Sequence, residues 1–229
     1  MPAGITTSLF GAVSPPNAIP GCYFWVRSDK GITTGSTFTW ADLSGNGYNL
    51  TQATSINQPT FNAVDSAYNN YPSLSFASTN SQNLINSSVP MAQPLTMFVV
   101  GNFSGASQNQ IMIGTSTNQN LYIYNAGANT LISASASSVL QGSIANNGTP
   151  FSYVAIFNNT ISSIYYNSSI ALASGTVGTS GATTGLQIGA SDSATFFNGK
   201  VVEVAIFSGS LTSGQINQLF LYSNNRYGT

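Results

Sequence analysis

Carboxylates and one thiol are the reactive side chains of this sequence, and their small number limits its chemistry. The 229 residues include five Asp and Glu, no His and one cysteine, Cys22. Glycoside hydrolysis needs two carboxylates about 5–9.5 Å apart, but Glu203 is the only Glu and its strand neighbours Val201 and Ala205 are apolar. A serine nucleophile would lack its histidine base, and Cys22 lies in an apolar segment. We therefore predict that the protein is not an enzyme.

Side chains suited to a carbohydrate occur together in one predicted loop. Tyr68 and Tyr71 offer aromatic rings for the faces of a sugar, and Asn69 and Asn70 offer amides for its hydroxyls. These four residues are the predicted glycan-binding site. The two tryptophans lie on predicted strands, where we expect them in the core.

Oxygen ligands for a metal ion follow one another in the segment 42–47, Asp-Leu-Ser-Gly-Asn-Gly. Calcium sites usually gather several carboxylates around the ion, and this segment has one. Asp and Asn in turns commonly accept hydrogen bonds from neighbouring backbone amides instead. We predict that Asp42 and Asn46 stabilise a turn, and that the protein binds no metal and no other cofactor.

The charge content excludes several kinds of partner. Charged residues make up 4% of the chain, with four Lys and Arg and a net charge of −1. Binding to nucleic acid through phosphates requires many more cations, as does a polybasic membrane anchor. No apolar run approaches the ~20 residues of a membrane-spanning helix. Since 42% of the residues are hydrophobic, the chain is also not disordered.

The pattern from Cys22 onward predicts an all-β fold. Short apolar or alternating runs are separated by clusters of Gly, Asn, Ser and Pro, as in sandwiches and barrels. A hairpin turn is predicted at 157–161, because Asn tolerates positive φ. The predicted strands are Cys22–Arg27, Thr37–Trp40, Ser73–Phe76, Leu95–Phe103, Gln110–Gly114, Leu121–Tyr124, Phe151–Phe157, Ile161–Tyr166, Leu186–Gly189 and Val201–Phe207.

One helix is predicted, at residues 212–226. Thr212 and Gln215 have the spacing of a capping box. Arg226 falls in the last turn, and Gly228 can end the helix in the left-handed conformation.

The N-terminal residues have a different composition. Residues 1–20 contain four of the nine prolines, which favours an extended arm outside a domain of residues 21–229; a frayed terminus is the alternative. The start shows no positive or apolar region of a signal peptide. With a surface of uncharged polar residues, this suggests release by cell lysis, and a removed signal peptide is the alternative.

Six segments resemble the concanavalin A-like, laminin G-like jelly-roll domains of bacterial and phage surface proteins. The family motif is an apolar strand ending in Arg-x-Asp, followed by Trp-x-Asp-x-Ser-Gly-x-Gly. The resemblance spans residues 20–228, although 104–185 is generic β sequence. The matching segments are FWVRSDKGITT (24–34), WADLSGNGYNLTQAT (40–54), YPSLSFASTNSQNL (71–84), LQIGAS (186–191), FFNGKVVEVAIF (196–207) and SLTSGQINQLFLYSNNRYG (210–228).

The resemblance implies two antiparallel sheets packed face to face, with the short helix near the strand ends. It also implies a calcium ligand, which the scarcity of acidic residues opposes. Arg27, Asp29, Asp42 and Glu203 fall on motif positions. Because an isolated buried charge costs several kcal/mol, we expect them to be buried and paired, with Glu203 facing Arg27 or Arg226.

The leading functional prediction is a non-enzymatic structural protein of a phage virion, such as a capsid decoration, head-fibre or tail-associated protein on the particle surface. Its partners would be capsid or tail subunits. The alternative is a glycan-binding adhesion module, on a virion or in an extracellular or cell-surface location.

We also expect a closed homo-oligomer, with a trimer as the first guess. Strands 121–124 and 161–166 carry apolar or Tyr side chains on both faces, and little charge is present to keep copies apart. The alternative is that long loops such as 126–150 cover these faces within the chain.

Overall fold

The computed structural model is a sandwich of two antiparallel sheets with one C-terminal helix, which confirms the predicted fold class. It describes residues 13–104, 110–115, 121–125, 131–135, 138–144, 148–179, 184–191 and 195–229. None of the helices in these ranges has the length and apolarity to cross a membrane.

The strands of the described residues are β1 (Cys22–Arg27), β2 (Ile32–Thr33), β3 (Phe38–Trp40), β4 (Leu50–Gln52), β5 (Thr60–Asn62), β6 (Ser73–Phe76), β7 (Leu84–Pro90), β8 (Leu95–Phe103), β9 (Gln110–Thr115), β10 (Tyr122–Asn125), β11 (Leu131–Ser135), β12 (Val139–Ser143), β13 (Phe151–Phe157), β14 (Ser162–Tyr166), β15 (Ala171–Gly175), β16 (Thr184–Ile188), β17 (Ala190–Ser191), β18 (Thr195–Phe196) and β19 (Gly199–Ser208). Short 3₁₀ turns connect several of them, and the single α-helix is α1 (Ser213–Tyr227).

Each large sheet has a simple strand order. The helix-side sheet runs β15-β14-β13-β8-β19-β6-β5, and β1 also pairs with β19. The opposite sheet runs β12-β11-β10-β9-β16-β7-β4-β3-β2, and β17 and β18 form a separate two-stranded sheet. The long strand β19 pairs with β8 on one side and with β6 and then β1 on the other.

Apolar side chains form two layers, because side chains of a strand alternate between its faces. Along β1, Phe24 and Val26 face the core between the sheets, whereas Trp25 faces the helix. The second layer lies between the helix-side sheet and α1, where Leu219 and Phe220 are buried. One sheet therefore packs on both faces.

A register irregularity in β19 changes this alternation. The pairing with β8 shifts between Val201 and Glu203, as at a β-bulge. Val202 packs in the layer under the helix, and Glu203 also contacts helix side chains. The irregularity thereby places a carboxyl group inside the helix-side layer.

The predicted helix is confirmed with its caps. The Thr212 side chain accepts a hydrogen bond from the Gln215 amide, and the Gln215 side chain accepts one from the Thr212 backbone. Gly228 ends the helix in the left-handed conformation with φ 76°. The predicted hairpin between β13 and β14 is confirmed as well, with Asn159 at φ 51°.

The predicted end of the N-terminal arm at residue 20 is wrong. Pro16 is buried, and Ile19 is 2% exposed within the layer under the helix. Both side chains gain from leaving water, so the domain begins before Pro16. Residues 1–12 lie outside the described residues, and the arm there stays a prediction.

The segment 126–150 is not a long loop, because it contains strands β11 and β12. Strands β10 and β14 each pair with a neighbour on both sides. In β14, Ile164 and Tyr166 pack against the inter-sheet core and Tyr165 packs on the helix side. The edges of β10 and β14 and both faces of β14 are thus partly covered within the chain. The homo-oligomer, with a trimer as the first guess, stays a prediction.

Candidate functional site

An open groove of about 230 Å³ lies where the β3–β4 loop, the β7–β8 connection and the end of β19 meet. We call it the tyrosine groove. It combines two aromatic rings with apolar walls and a few polar groups, as small-molecule sites usually do. Its lining residues are Tyr23, Asn46, Tyr48, Pro90, Ala92, Pro94, Leu95 and Ser208.

One wall of the groove is the β3–β4 loop, and the Asp42 carboxylate holds its shape. It accepts hydrogen bonds from the backbone amides of Ser44 at 2.9 Å and Tyr48 at 3.1 Å. The Asp42 carboxylate also accepts hydrogen bonds from the Ser44 hydroxyl at 2.8 Å and from the Trp25 backbone amide at 3.0 Å. The loop is therefore tied both to itself and to strand β1.

The same loop also fixes Tyr23. The Tyr23 carbonyl accepts hydrogen bonds from the Ser44 hydroxyl at 2.9 Å and from the Asn46 amide nitrogen at 2.8 Å. The Tyr23 hydroxyl donates to the Pro90 carbonyl at 2.6 Å, which links β1 to the end of β7. Burial raises the pKa of Tyr23 well above its usual value, so the hydroxyl stays neutral.

The lining of the groove combines ring surface with hydrogen-bonding groups and contains no carboxylate or thiol. Its polar atoms are hydroxyls, one side-chain amide and backbone carbonyls. Tyr23 and Tyr48 are both half-buried, so each ring is supported by the protein while part of it faces solvent. Such a surface fits a ligand with an apolar face and a polar rim.

Tyr68, the first residue of the predicted glycan site, is wrongly assigned as an exposed aromatic. Its ring is fully buried in the layer under the helix, and its hydroxyl donates to Asn102 at 3.1 Å. Its position in a loop gave no sign that α1 would cover it.

The other three residues of the predicted site lie beside the end of α1. The Asn69 amide donates to the Arg226 carbonyl at 3.1 Å. The Arg226 guanidinium lies 3.9 Å from the centre of the Tyr71 ring, and Tyr227 meets that ring edge-on at 5.5 Å. One face of Tyr71 is thereby occupied. Asn69 and Asn70 are exposed, and glycan binding by this loop stays a prediction.

Glu203 is fully buried, as expected, but the expected direct ion pair is wrong. Its carboxyl group accepts the Trp25 indole N–H at 2.6 Å and the hydroxyls of Tyr227 at 2.6 Å and Tyr222 at 3.1 Å. Arg27 reaches it only through the Tyr222 hydroxyl, 3.5 Å away. Aromatic donors fit the narrow space between sheet and helix. Burial raises the pKa of Glu203 to about 7, against the lowering effect of these donors.

The expected pairing is confirmed for Arg27 and Asp29. The Arg27 Nε lies 2.5 Å from Asp29 Oδ1, and the Arg226 guanidinium lies 2.6 Å from Asp29 Oδ2. Asp29 thus joins the end of β1 to the last turn of α1. A further ion pair joins Lys200 to Asp65 at 2.7 Å.

The prediction that oxygens of the turn at 42–47 accept its own amides is confirmed for Asp42, whose carboxylate accepts hydrogen bonds from the Ser44 and Tyr48 amides. Asn46 instead uses its side-chain nitrogen, which donates to the Tyr23 carbonyl and to Ser44 Oγ. The described part of the chain contains no group of three or more His, Cys, Asp or Glu that would suit a metal ion.

Burial raises the pKa of Cys22 to about 12, so this thiol is unreactive at neutral pH, as expected.

A second groove, of about 210 Å³, lies between the β14–β15 turn and α1. Its only aromatic residue, Phe220, is 7% exposed, so it offers little ring surface. Its lining residues are Asn167, Ser168, Ser169, Asn217, Phe220, Leu221, Asn224 and Thr229.

Sequence reasoning missed the tyrosine groove. The motif around Asp42 was recognised, and Tyr48 follows it directly, but Tyr23 and Pro90 are brought to it only by sheet pairing and stacking. The one signal in the sequence was the position of Tyr48 directly after the turn that contains Gly45 and Gly47.

No family model matches the sequence, and no curated protein matches it. Solved structures do match. Domain 4 of AbnA, a GH43 extracellular arabinanase from Geobacillus stearothermophilus solved in complex with arabinotriose, is 16% identical with a TM-score of 0.62. The match covers 86% of this chain and 97% of that domain.

Two further likenesses cover only part of the other protein. Trypanosoma rangeli sialidase is 14% identical with a TM-score of 0.63, over 91% of this chain and 34% of the sialidase. The binding domain of botulinum neurotoxin serotype G is 11% identical with a TM-score of 0.65, over 89% of this chain and 51% of that chain. At such identities the likenesses show the β-sandwich fold alone, and none of the three proteins is described as a virion component.

Proposed function

We propose that the chain is a glycan-binding β-sandwich module without catalytic activity, and that the tyrosine groove is its binding site. The observation that carries the proposal is the pair of half-buried tyrosines, Tyr23 and Tyr48, held in place by the Asp42 network. A site whose shape exists before binding loses little conformational entropy when the ligand arrives.

The chemistry of the groove suits a sugar ring. A pyranose or furanose has faces of C–H groups, which pack on the electron-rich face of an aromatic ring, and a rim of hydroxyls. The Asn46 side chain and the tyrosine hydroxyls can bond such a rim. At about 230 Å³ the groove is smaller than the ~300–1,000 Å³ of drug-sized sites, which suits one or two sugar units.

The likenesses support this proposal without deciding it. The AbnA domain, which this chain matches over nearly its whole length, was solved with arabinotriose. The sialidase and the toxin binding domain place the same fold inside larger proteins. A glycan-binding role agrees with each of these settings.

The carboxylates support a non-catalytic role. Glu203 is fully buried under α1, Asp29 and Asp65 are in ion pairs, and Asp42 is bonded within its loop. None of these four lines the tyrosine groove, although glycoside hydrolysis requires two carboxylates at the ligand.

A glycan array followed by calorimetry with the strongest ligand tests the proposal, with arabinotriose included as a probe. Tyr48→Ala should reduce affinity at least tenfold, because it removes one ring of the groove. Tyr71→Ala, which changes another half-buried tyrosine at the previously predicted loop, should leave affinity within twofold. Circular dichroism checks that both variants are folded.

The outcomes separate the two sites. Loss of binding in Tyr71→Ala with normal binding in Tyr48→Ala would assign the site to residues 68–71 instead. If neither variant changes affinity, the tyrosine groove is not the site. Failure of the wild-type protein to bind any glycan would overturn the proposed function.

The virion role remains a separate proposal, and it is compatible with glycan binding because a particle-surface protein can contact a host glycan. Its motivation is the resemblance to phage surface domains and the near absence of charge. Mass spectrometry of purified particles would locate the protein on a virion, and its absence from them would remove this reading.

A further inference from the structure

All four Lys and Arg of the sequence lie among the described residues. Arg27 and Arg226 share Asp29, at 2.5 Å and 2.6 Å, and Lys200 is 2.7 Å from Asp65. Lys30 is exposed and forms no ion pair with any described residue. The sequence contains no His. The Lys200 side chain is 34% exposed but held by Asp65, and Lys30 is the one side-chain cation outside an ion pair with a described residue.

That lysine lies far from the tyrosine groove. Tyr23 is near the start of β1 and Arg27 is at its end, so about 13 Å of extended strand separates them at ~3.3 Å per residue. Lys30 lies in the turn that follows Arg27, and it forms an isolated β-bridge with Arg27. All residues that line the groove are uncharged.

A negative charge adjoins the wall of the groove. The Asp42 carboxylate accepts the amide of Tyr48 at 3.1 Å, directly under one of the lining residues. A second anion in the groove would meet this charge without a cation to offset it. Recognition of carboxylates, phosphates and sulfates normally relies on Arg or Lys.

Two acceptor atoms of the groove are free to bind hydroxyl donors. The Asn46 nitrogen is already used, donating to the Tyr23 carbonyl and to Ser44 Oγ at 3.1 Å. Its Oδ1 has no hydrogen bond from a described residue. The Tyr23 hydroxyl donates to Pro90, so its oxygen is left to accept. Sugar hydroxyls can donate to both atoms, whereas an ionised carboxylate can only accept.

We infer that the ligand of the tyrosine groove is a neutral glycan and that glycans bearing sialic acid, uronic acid or sulfate at the bound unit are rejected. This inference rests on the proposed function, because it names the chemical class of ligand for the same groove. Binding depends on ring contact and hydrogen bonds, which salt screens little.

The test uses matched glycan pairs on the full chain: lactose with 3′-sialyllactose, arabinotriose with trigalacturonic acid, and the array's neutral glycans with their sulfated forms. We expect binding only to neutral members, with a Kd that changes less than twofold between 50 and 500 mM NaCl. Lys30→Gln, which removes the one Lys or Arg outside an ion pair with a described residue, should leave that Kd unchanged.

Each other result has a distinct meaning. Binding confined to the anionic members, weakened by salt or by Lys30→Gln, would overturn this inference and leave glycan binding standing. Equal affinity for both members of the pairs would also overturn it. Absence of binding to every glycan would overturn the proposed function and this inference with it.

Discussion

At the scale of single residues, the most unusual feature is a carboxyl group buried among aromatic side chains. Glu203 is fully buried and is held by one indole N–H and two phenol hydroxyls. Removing a carboxylate from water costs several kcal/mol, and the hydrogen bonds from these three donors offset only part of that cost. The consequence is a pKa raised to about 7, in a chain without histidine.

Glu203 should make the free energy of unfolding depend on pH between about 4.5 and 7. Its pKa is raised from 4.5 to about 7 on folding, so the folded protein retains a proton that the unfolded chain releases. The free energy of unfolding should therefore fall by about 3 kcal/mol as pH rises from 4.5 to 7, and then level off. Urea denaturation at half-unit pH steps measures this fall.

The matched variant is Glu203→Gln, which keeps the shape of the side chain but cannot ionise. Its unfolding free energy should be constant across the same window. A wild-type slope that persists in Glu203→Gln, or a stability that rises with pH, would show that another group is responsible.

At the scale of elements, the β3–β4 loop protects an edge as well as forming a groove. Strand β1 pairs with β19 on one side only. On its other side the loop supplies partners, because the Leu43 amide donates to the Trp25 carbonyl at 2.6 Å and Asp42 accepts the Trp25 amide. Exposed edges invite association, and this one is closed within the chain.

Asp42→Ala should loosen this loop. The change leaves the amides of Trp25, Ser44 and Tyr48 without their acceptor, and we expect a loss of about 2–3 kcal/mol in unfolding free energy. Glycan affinity should fall with it, because the wall that carries Tyr48 is no longer fixed. The measurements are chemical denaturation and calorimetry with the best array ligand.

Asn49→Ala provides the graded control, because it removes a single acceptor, the one for the Asp42 amide at 2.9 Å. It should cost about 1 kcal/mol or less. Equal effects of the two substitutions would contradict the central role of Asp42.

At the scale of the whole molecule, the three layers are joined by few charges and many apolar contacts. The helix-side sheet is covered on both faces, by the opposite sheet and by α1. The N-terminal segment completes the second layer through Ile19, which packs in the same cluster as Leu211 and Phe207. The domain therefore needs residues that the sequence pattern assigned to an arm.

Ile19→Ala should destabilise the domain by about 2–4 kcal/mol, because it opens a cavity under the helix. Asn17→Ala is the control, since Asn17 is exposed only two residues away and a surface change of this kind stays within about 0.5 kcal/mol. Thermal and urea unfolding of the two variants give the comparison. Equal stability of the two variants would show that Ile19 belongs to the arm and not to the core of the domain.

Local patterns in the sequence determined the fold class, the positions of ten of the nineteen described strands and the whole of α1. Alternation at period two and the Thr212–Gln215 capping box are short-range signals, because they depend on neighbours along the chain. The same holds for the turn at Asp42, whose partners Ser44 and Tyr48 are close in sequence. Among the charged motif residues, the pairing of Arg27 with Asp29 could also be expected, because an unpaired buried charge is costly. Asp42 and Glu203 have hydrogen-bond donors as partners instead of cations.

Only the tertiary structure decided which side chains face solvent at the sites. Tyr68 is buried because α1 lies across it, and Glu203 is bonded to tyrosines of the same helix 19 and 24 residues away. The tyrosine groove joins Tyr23 to Pro90, which are 67 residues apart. Such contacts arise from the stacking of sheets and the docking of the helix, and no periodicity along the chain encodes them.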